Sequence, residues 1–278
     1  MSEISIDNQS LYFKLSSRYY SDESESLELT FKCLVSPNYT ANFNNKNLKL
    51  AYNPNSKIMF VGHYAAALAL KGKEKGASLG MLFIATQFVD ILFFPFVLAG
   101  IEKLSFVKGF TAVNDFNMDY YPFTHGLLAS LMWSGLFFML YYFVFSKNKT
   151  NKKSIAIVMA LAILSHWFTD LIVHTPDLPL VNGEPKFGFG LWNNKVLTFV
   201  AEAVLLILGL WYYLKKTKAI SKVGKYAALV FVLFLLLINY LNLFVLPAND
   251  DIKSLTISAL VFYFLFAGIV EYVGRKRV

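Results

Sequence analysis

The chain has four histidines, His63, His125, His166 and His174, and each lies in or at the end of an apolar segment. Asp90 and Gln87 interrupt one apolar block, Asp170 a second and Glu202 a third. An aspartate in hydrocarbon costs at least ~2.5–3.5 kcal/mol on insertion scales, so such residues face one another, a ligand or a water-filled cavity. His166, Asp170 and His174 read HxxxDxxxH. Steps of four keep three side chains on one slowly drifting helical face, aiming two imidazoles and a carboxylate at a common place. Imidazole nitrogen and carboxylate oxygen are the ligand set of zinc or a similar divalent ion. Such an ion would offset the desolvation of the carboxylates and lower the pKa of a bound water to about 7. Plainer readings use the same residues: a hydrogen-bonded pair at i and i+4, polar residues locking helices together, or a proton or ion path.

The elements that must position these residues are apolar blocks at 78–100, 127–145, 155–172, 196–214, 226–246 and 255–270. Each is near the ~20 residues a helix needs to cross ~30 Å of hydrocarbon. None alternates with period two, which argues against a β-barrel. Hydrophobic residues make up 56% of the chain and charged ones 16%, too little charge to cover a soluble domain. The net charge of +8 sits in short basic runs beside the blocks, so it reads as membrane topology and no nucleic-acid partner is expected. Runs at 147–153, 215–225 and 275–277 follow the second, fourth and sixth blocks, and 71–75 precedes the first. All four fit on one side, which the positive-inside rule makes cytoplasmic. The expected architecture is all-α: a polytopic membrane helix bundle of about six transmembrane helices with the C-terminus cytoplasmic. One short or re-entrant helix is added at 58–70. In that topology Asp90, His125, His166, His174 and Glu202 share a depth near the extracytoplasmic face.

Residues 1–57 form a polar extension, β-like or disordered, with weak alternation at 26–34, and 58–278 form the transmembrane domain. Met59 opens the segment MFVGHYAAALALKG and is an alternative start. The first 25 residues contain no apolar core with a cleavage site, so no ordinary signal peptide is expected. The single cysteine, Cys33, excludes an internal disulfide and a thiolate metal cluster.

The stretches VGHYAAALALK, LFIATQFVDILF, YPFTHGLLASL, LSHWFTDLIVHTPDLPL and GLWNNK carry His63, Asp90, His125, the His166–Asp170–His174 stripe and Gly190–Lys195. In this order they resemble the YdjM-like family of bacterial membrane-bound metal-dependent hydrolases, from about Met59 to the C-terminus. That family is distantly similar to zinc-dependent phospholipases C and single-strand nucleases, which hold metal with an Asp, a His and an HxxxD pair. The resemblance implies Asp90, His125, His166 and Asp170 as ligands of a first metal, with His63 contributing to a second. It implies His174 as a further ligand or acid/base group and Glu202 as a ligand or general base. It also implies a bacterial inner-membrane phosphoester hydrolase working with Zn2+, and the charge-derived topology turns its centre to the extracytoplasmic face. The lipid bilayer and a phospholipid substrate are its partners; no obligate protein partner is expected. An ion- or proton-coupled transporter and a non-enzymatic membrane scaffold remain rival readings.

Two neighbours of the stripe have two readings each. Asp177 either orients a ligand histidine or caps a turn stopped by Pro176 and Pro179. Trp192 either lines a site mouth with Asn193 and Asn194 or sits at the membrane boundary. Asn194 is placed to cap the fourth spanning helix.

Overall fold

The structure, a computed structural model, describes residues 2–7, 10–17, 27–34, 41–42, 49–50, 61–183, 185–246 and 251–278. The alternative start at Met59 lies outside the described residues, as does the beginning of the short apolar stretch at 58–60. The chain divides into two units, Met1–Pro54 and Asn55–Val278. The first contains an antiparallel sheet of β1 (Ser2–Asp7), β2 (Ser10–Ser17) and β3 (Leu27–Leu34), in that order. A second pair joins β4 (Ala41–Asn42) to β5 (Lys49–Leu50).

The second unit is mostly helical. A 3-10 turn at Val61–His63 leads into α1 (Tyr64–Lys73), and α2 (Leu79–Thr86) and α3 (Phe88–Leu98) follow. Then come α4 (Leu127–Leu140), α5 (Lys152–Val173), α6 (Lys195–Lys216), α7 (Lys222–Tyr240) and α8 (Ile252–Gly274). Single π turns at Tyr141–Phe145 and Leu241–Val245 extend α4 and α7. Among the described residues, five helices, with those extensions, are long and apolar enough to cross a membrane, or six if the bent pair α2–α3 is one span. Their outward faces expose Val200, Ile207, Leu233, Val261 and many similar residues. Soluble proteins rarely leave such continuous apolar surface uncovered; this is a membrane protein's exterior.

Block 78–100, expected as one continuous span, is broken: α2 and α3 meet at Gln87 with a bend of 47°. The linking segments also hold structure that their loop-like composition hides. In 101–123 an antiparallel hairpin pairs β6 (Lys103–Phe106) with β7 (Phe116–Tyr120). In 174–193, β8 (Leu178–Pro179) pairs with β9 (Lys186–Phe187) before a 3-10 turn at Leu191–Asn193.

Helix α1 is too short to span, and it survives because protein surrounds it: Tyr64 and Leu68 are buried. It packs on α6, where a Cβ on Gly209 would stand 2.5 Å from the Ala65 carbonyl oxygen. Likewise α2 meets α8 at Gly80. Small residues let helix backbones approach in this way where lipid supplies no hydrophobic drive.

Two apolar cores stack along the unit. One gathers Tyr64, Phe83, Met159, Ile163 and Phe266; the other gathers Phe93, Tyr121, Trp167, Trp192 and Tyr263. On α3, Asp90 falls between Val89 of the first core and Phe93 of the second, and on α5, His166 falls between Ile163 and Trp167. The polar residues thus occupy the layer where the cores meet.

The basic runs are tied together at one end. Asn151 donates to Glu74 (2.5 Å), Ser78 donates to Glu271 (2.7 Å), and Arg277 donates to Thr217 Oγ1 and to the Gly224 carbonyl. Lys215, Lys216, Lys225 and Lys276 there lie over the rings of Trp211, Tyr212, Tyr226 and Tyr272. Such pairing of basic and aromatic side chains is common where membrane proteins meet water.

Candidate metal centre

Four segments deliver the four histidines. The 3-10 turn before α1 carries His63, the residues before α4 carry His125, α5 carries His166, and the end of α5 carries His174. All four are buried. Helix α3 adds Asp90 and α5 adds Asp170.

Every Nδ1 is held from outside. His166 Nδ1 lies 2.7 Å from the Thr86 carbonyl oxygen, which can only accept. His63 Nδ1 meets the Thr169 hydroxyl, whose proton goes to the Ser165 and His166 carbonyls. His125 Nδ1 lies 2.8 Å from the Thr124 hydroxyl, which donates to Glu102 at 2.7 Å. His174 Nδ1 lies 3.0 Å from Asp177 Oδ1, which also accepts from the Tyr121 hydroxyl. Each partner therefore requires a proton on Nδ1, which makes Nε2 the lone-pair nitrogen of the neutral ring.

All four Nε2 atoms point inward to the two carboxylates. Asp170 Oδ1 lies 3.2 Å from His63 and 3.8 Å from His174; Asp170 Oδ2 lies 3.1 Å from His166 and 3.8 Å from His125. Asp90 Oδ1 lies 3.1 Å from His125 and 3.7 Å from His166, and Asp90 Oδ2 accepts from the Tyr263 hydroxyl at 3.0 Å. His166 Nε2 and Asp170 Oδ2 are buried with no hydrogen-bond partner. The His63 and His166 rings stack at 3.9 Å, a contact that suits neutral imidazoles better than a pair of cations. Lone pairs facing carboxylates in a buried layer repel unless a cation lies among them. Donor atoms of His63, His166 and Asp170 lie within 4.8 Å of one another, as do those of Asp90, His125 and His166, so either trio could hold a metal ion. The donor set fits a divalent ion, and Asp170 presents one oxygen to each half.

Glu202 stands apart from both trios. Its Oε2 accepts the Val61 backbone N–H at 3.2 Å, which secures the turn carrying His63. It still lines the same cavity of about 90 Å³ as His63, Asp90, Asp170 and His174. Trp192, read either as a site-mouth or as a boundary residue, is buried with its ring 4.2 Å from that of His174 and lines this cavity. Asn194 caps α6, accepting from Val196 and Leu197 N–H.

The outer partners Glu102, Thr124, Thr169, Thr86 and Tyr263 escape sequence reasoning. Glu102 beside Lys103 reads as a solvated charge, yet it is buried and accepts from Phe123 N, Thr124 N and Thr124 Oγ1. Burial pushes its carboxyl above the ordinary range, and the His125 ring and these donors oppose that. Asn239 and Asn242 also line the cavity, and their place in an otherwise apolar block is a signal visible in the sequence. No family model, curated protein or solved structure matches this chain.

Proposed function

We propose that this chain is a membrane-embedded metal-dependent hydrolase of a phosphoester, with a lipid head group as substrate. The observation that carries the proposal is the convergence of four Nδ1-anchored histidines and two carboxylates on one buried layer. Asp90, His125, His166 and Asp170 would hold a first ion. His63 and His174, with the other oxygen of Asp170, would hold a second. Zinc suits this nitrogen and oxygen set. When bound, it supplies Lewis acidity toward a phosphoryl oxygen and acidifies a water. The chain's own residues fix ring orientation through Thr86, Thr124, Thr169 and Asp177. The resemblance to YdjM-like hydrolases supplies the reaction class. The positive-inside rule, applied to the basic end, puts the centre toward the extracytoplasmic side of the bacterial cytoplasmic membrane and the C-terminus in the cytoplasm.

Metal analysis of the purified protein tests the proposal against its His166→Ala and Asp170→Ala variants. Stoichiometric zinc in the unmutated protein and its loss in both variants is expected. Absence of metal from the unmutated protein at saturating zinc refutes it. A panel of phosphodiesters and phospholipid vesicles then tests the reaction class.

A further inference from the structure

Across the cavity from the histidines, the wall consists of Glu202 on α6 with Asn239 and Asn242 at the end of α7 and in its π turn. Asn239 is 1% exposed. Its amide faces the Glu202 carboxylate, but among the described residues neither amide atom reaches hydrogen-bond geometry with any partner. A buried polar group left so costs about 1–3 kcal/mol, and native structures contain few. The π turn is the second pointer. Such turns are rare and gather at functional sites, and this one, beginning at Leu241, sets Asn242 and Leu243 on the cavity wall.

We propose that this wall is a subsite for a hydroxyl group on the alcohol portion of the substrate. The proposal rests on the metal-dependent reading of the adjoining centre. An anionic group is disfavoured, because Glu202 lies on the wall and no lysine or arginine lines the cavity among the described residues. An ammonium satisfies the acceptors but cannot itself accept from Asn239 Nδ2. An apolar group leaves both amide atoms orphaned. A hydroxyl answers both needs, accepting from Asn239 Nδ2 and donating to Glu202 or to Asn239 Oδ1. The cavity, about 90 Å³, suits a small polyol carried on a phosphate. The substrate class is therefore a phosphoester of a hydroxylated alcohol, with the phosphate toward the histidines and the hydroxyl toward α7.

The test titrates zinc-loaded protein in detergent with glycerol 1-phosphate and with propyl phosphate, which keeps the carbon chain and lacks both hydroxyls. Glycerol 1-phosphate is expected to bind at least about tenfold tighter, since a site built for a hydroxyl rejects the analogue lacking it. Asn239→Ala is expected to bring the two within about twofold while the zinc content stays unchanged. Equal affinities in the unmutated protein, or no binding of either probe, overturn the subsite, and this comparison holds whether or not the variant folds. Undiminished discrimination by folded Asn239→Ala overturns it as well. Zinc content of the same sample separates the two ideas. A protein that takes up no zinc refutes the metal reading and the subsite with it. A loaded protein that does not discriminate refutes the subsite alone.

Discussion

Replacing Glu102 by Gln should damage metal binding more than removing the Thr124 hydroxyl, although Glu102 touches no ring of the centre. Glu102 Oε1 accepts two backbone N–H groups, from Phe123 and Thr124, each at 2.9 Å. In Glu102→Gln those donors hold the amide oxygen in that place, which turns the amide nitrogen toward Thr124. The Thr124 hydroxyl must then accept from Gln and donate to His125 Nδ1. The proton of His125 moves to Nε2, where it faces Asp90 Oδ1, 3.1 Å away, and blocks the lone pair a metal needs. Thr124→Val only strands the Nδ1 proton. Loss of an outer partner of a ligand histidine weakens metal affinity by about 10–100-fold, or about 1.4–2.7 kcal/mol at 1.4 kcal/mol per decade. Thr124→Val belongs in that range and Glu102→Gln at its upper end or beyond. Competition with a chromophoric zinc chelator in detergent measures both. The inverted proton also donates to Asp90 in the metal-free protein, so Glu102→Gln should melt no lower than the unmutated protein in chelator. Glu102→Gln with unchanged zinc affinity would refute the proton assignments around His125.

Three further outcomes follow from the same geometry. Chelator should lower the melting temperature of the zinc-loaded protein, because a ligand bound only by the folded state at 100 times its Kd contributes about 2.7 kcal/mol; no shift in a scanning melt counts against an ordered ion. Gly209→Val should destabilise by about 1–3 kcal/mol through overpacking where α6 meets the Ala65 carbonyl, and an unchanged chemical or thermal midpoint would show that the helices part freely. Arg277→Ala removes donors to Thr217, Leu214 and Gly224 and should cost about 2–3 kcal/mol. Zinc content should not change, since this clamp and the centre lie in different layers, and metal analysis of the variant checks that.

Depth was the most legible property of the site. Basic runs alternating with apolar blocks put His125, His166, His174 and Asp90 on one level before any contact was known, and the helical period put His166 and Asp170 on one face. His63 was the least readable member, because a short helix has no depth of its own; burial against α6 gives it one. The bend at Gln87 carried no proline or glycine to announce it, and apolar residues continue on both sides. The hairpins β6–β7 and β8–β9 were hidden because short strands in polar connectors lack the repeated alternation that identifies longer ones. Glu202 was half legible: its acidity was visible, but its partner, a backbone amide 141 positions away, was not.

That bend has a consequence for how the centre will respond to genetics. The group steering His166 is the Thr86 carbonyl, available at the end of α2 because the helix breaks there. A main-chain oxygen survives every side-chain replacement at position 86. An alanine scan will therefore register Thr124, Thr169 and Asp177 and pass silently over the contact that orients His166. Only changes that straighten the chain around Gln87 can reach it, and those will look like distant folding defects while their first effect is on the centre.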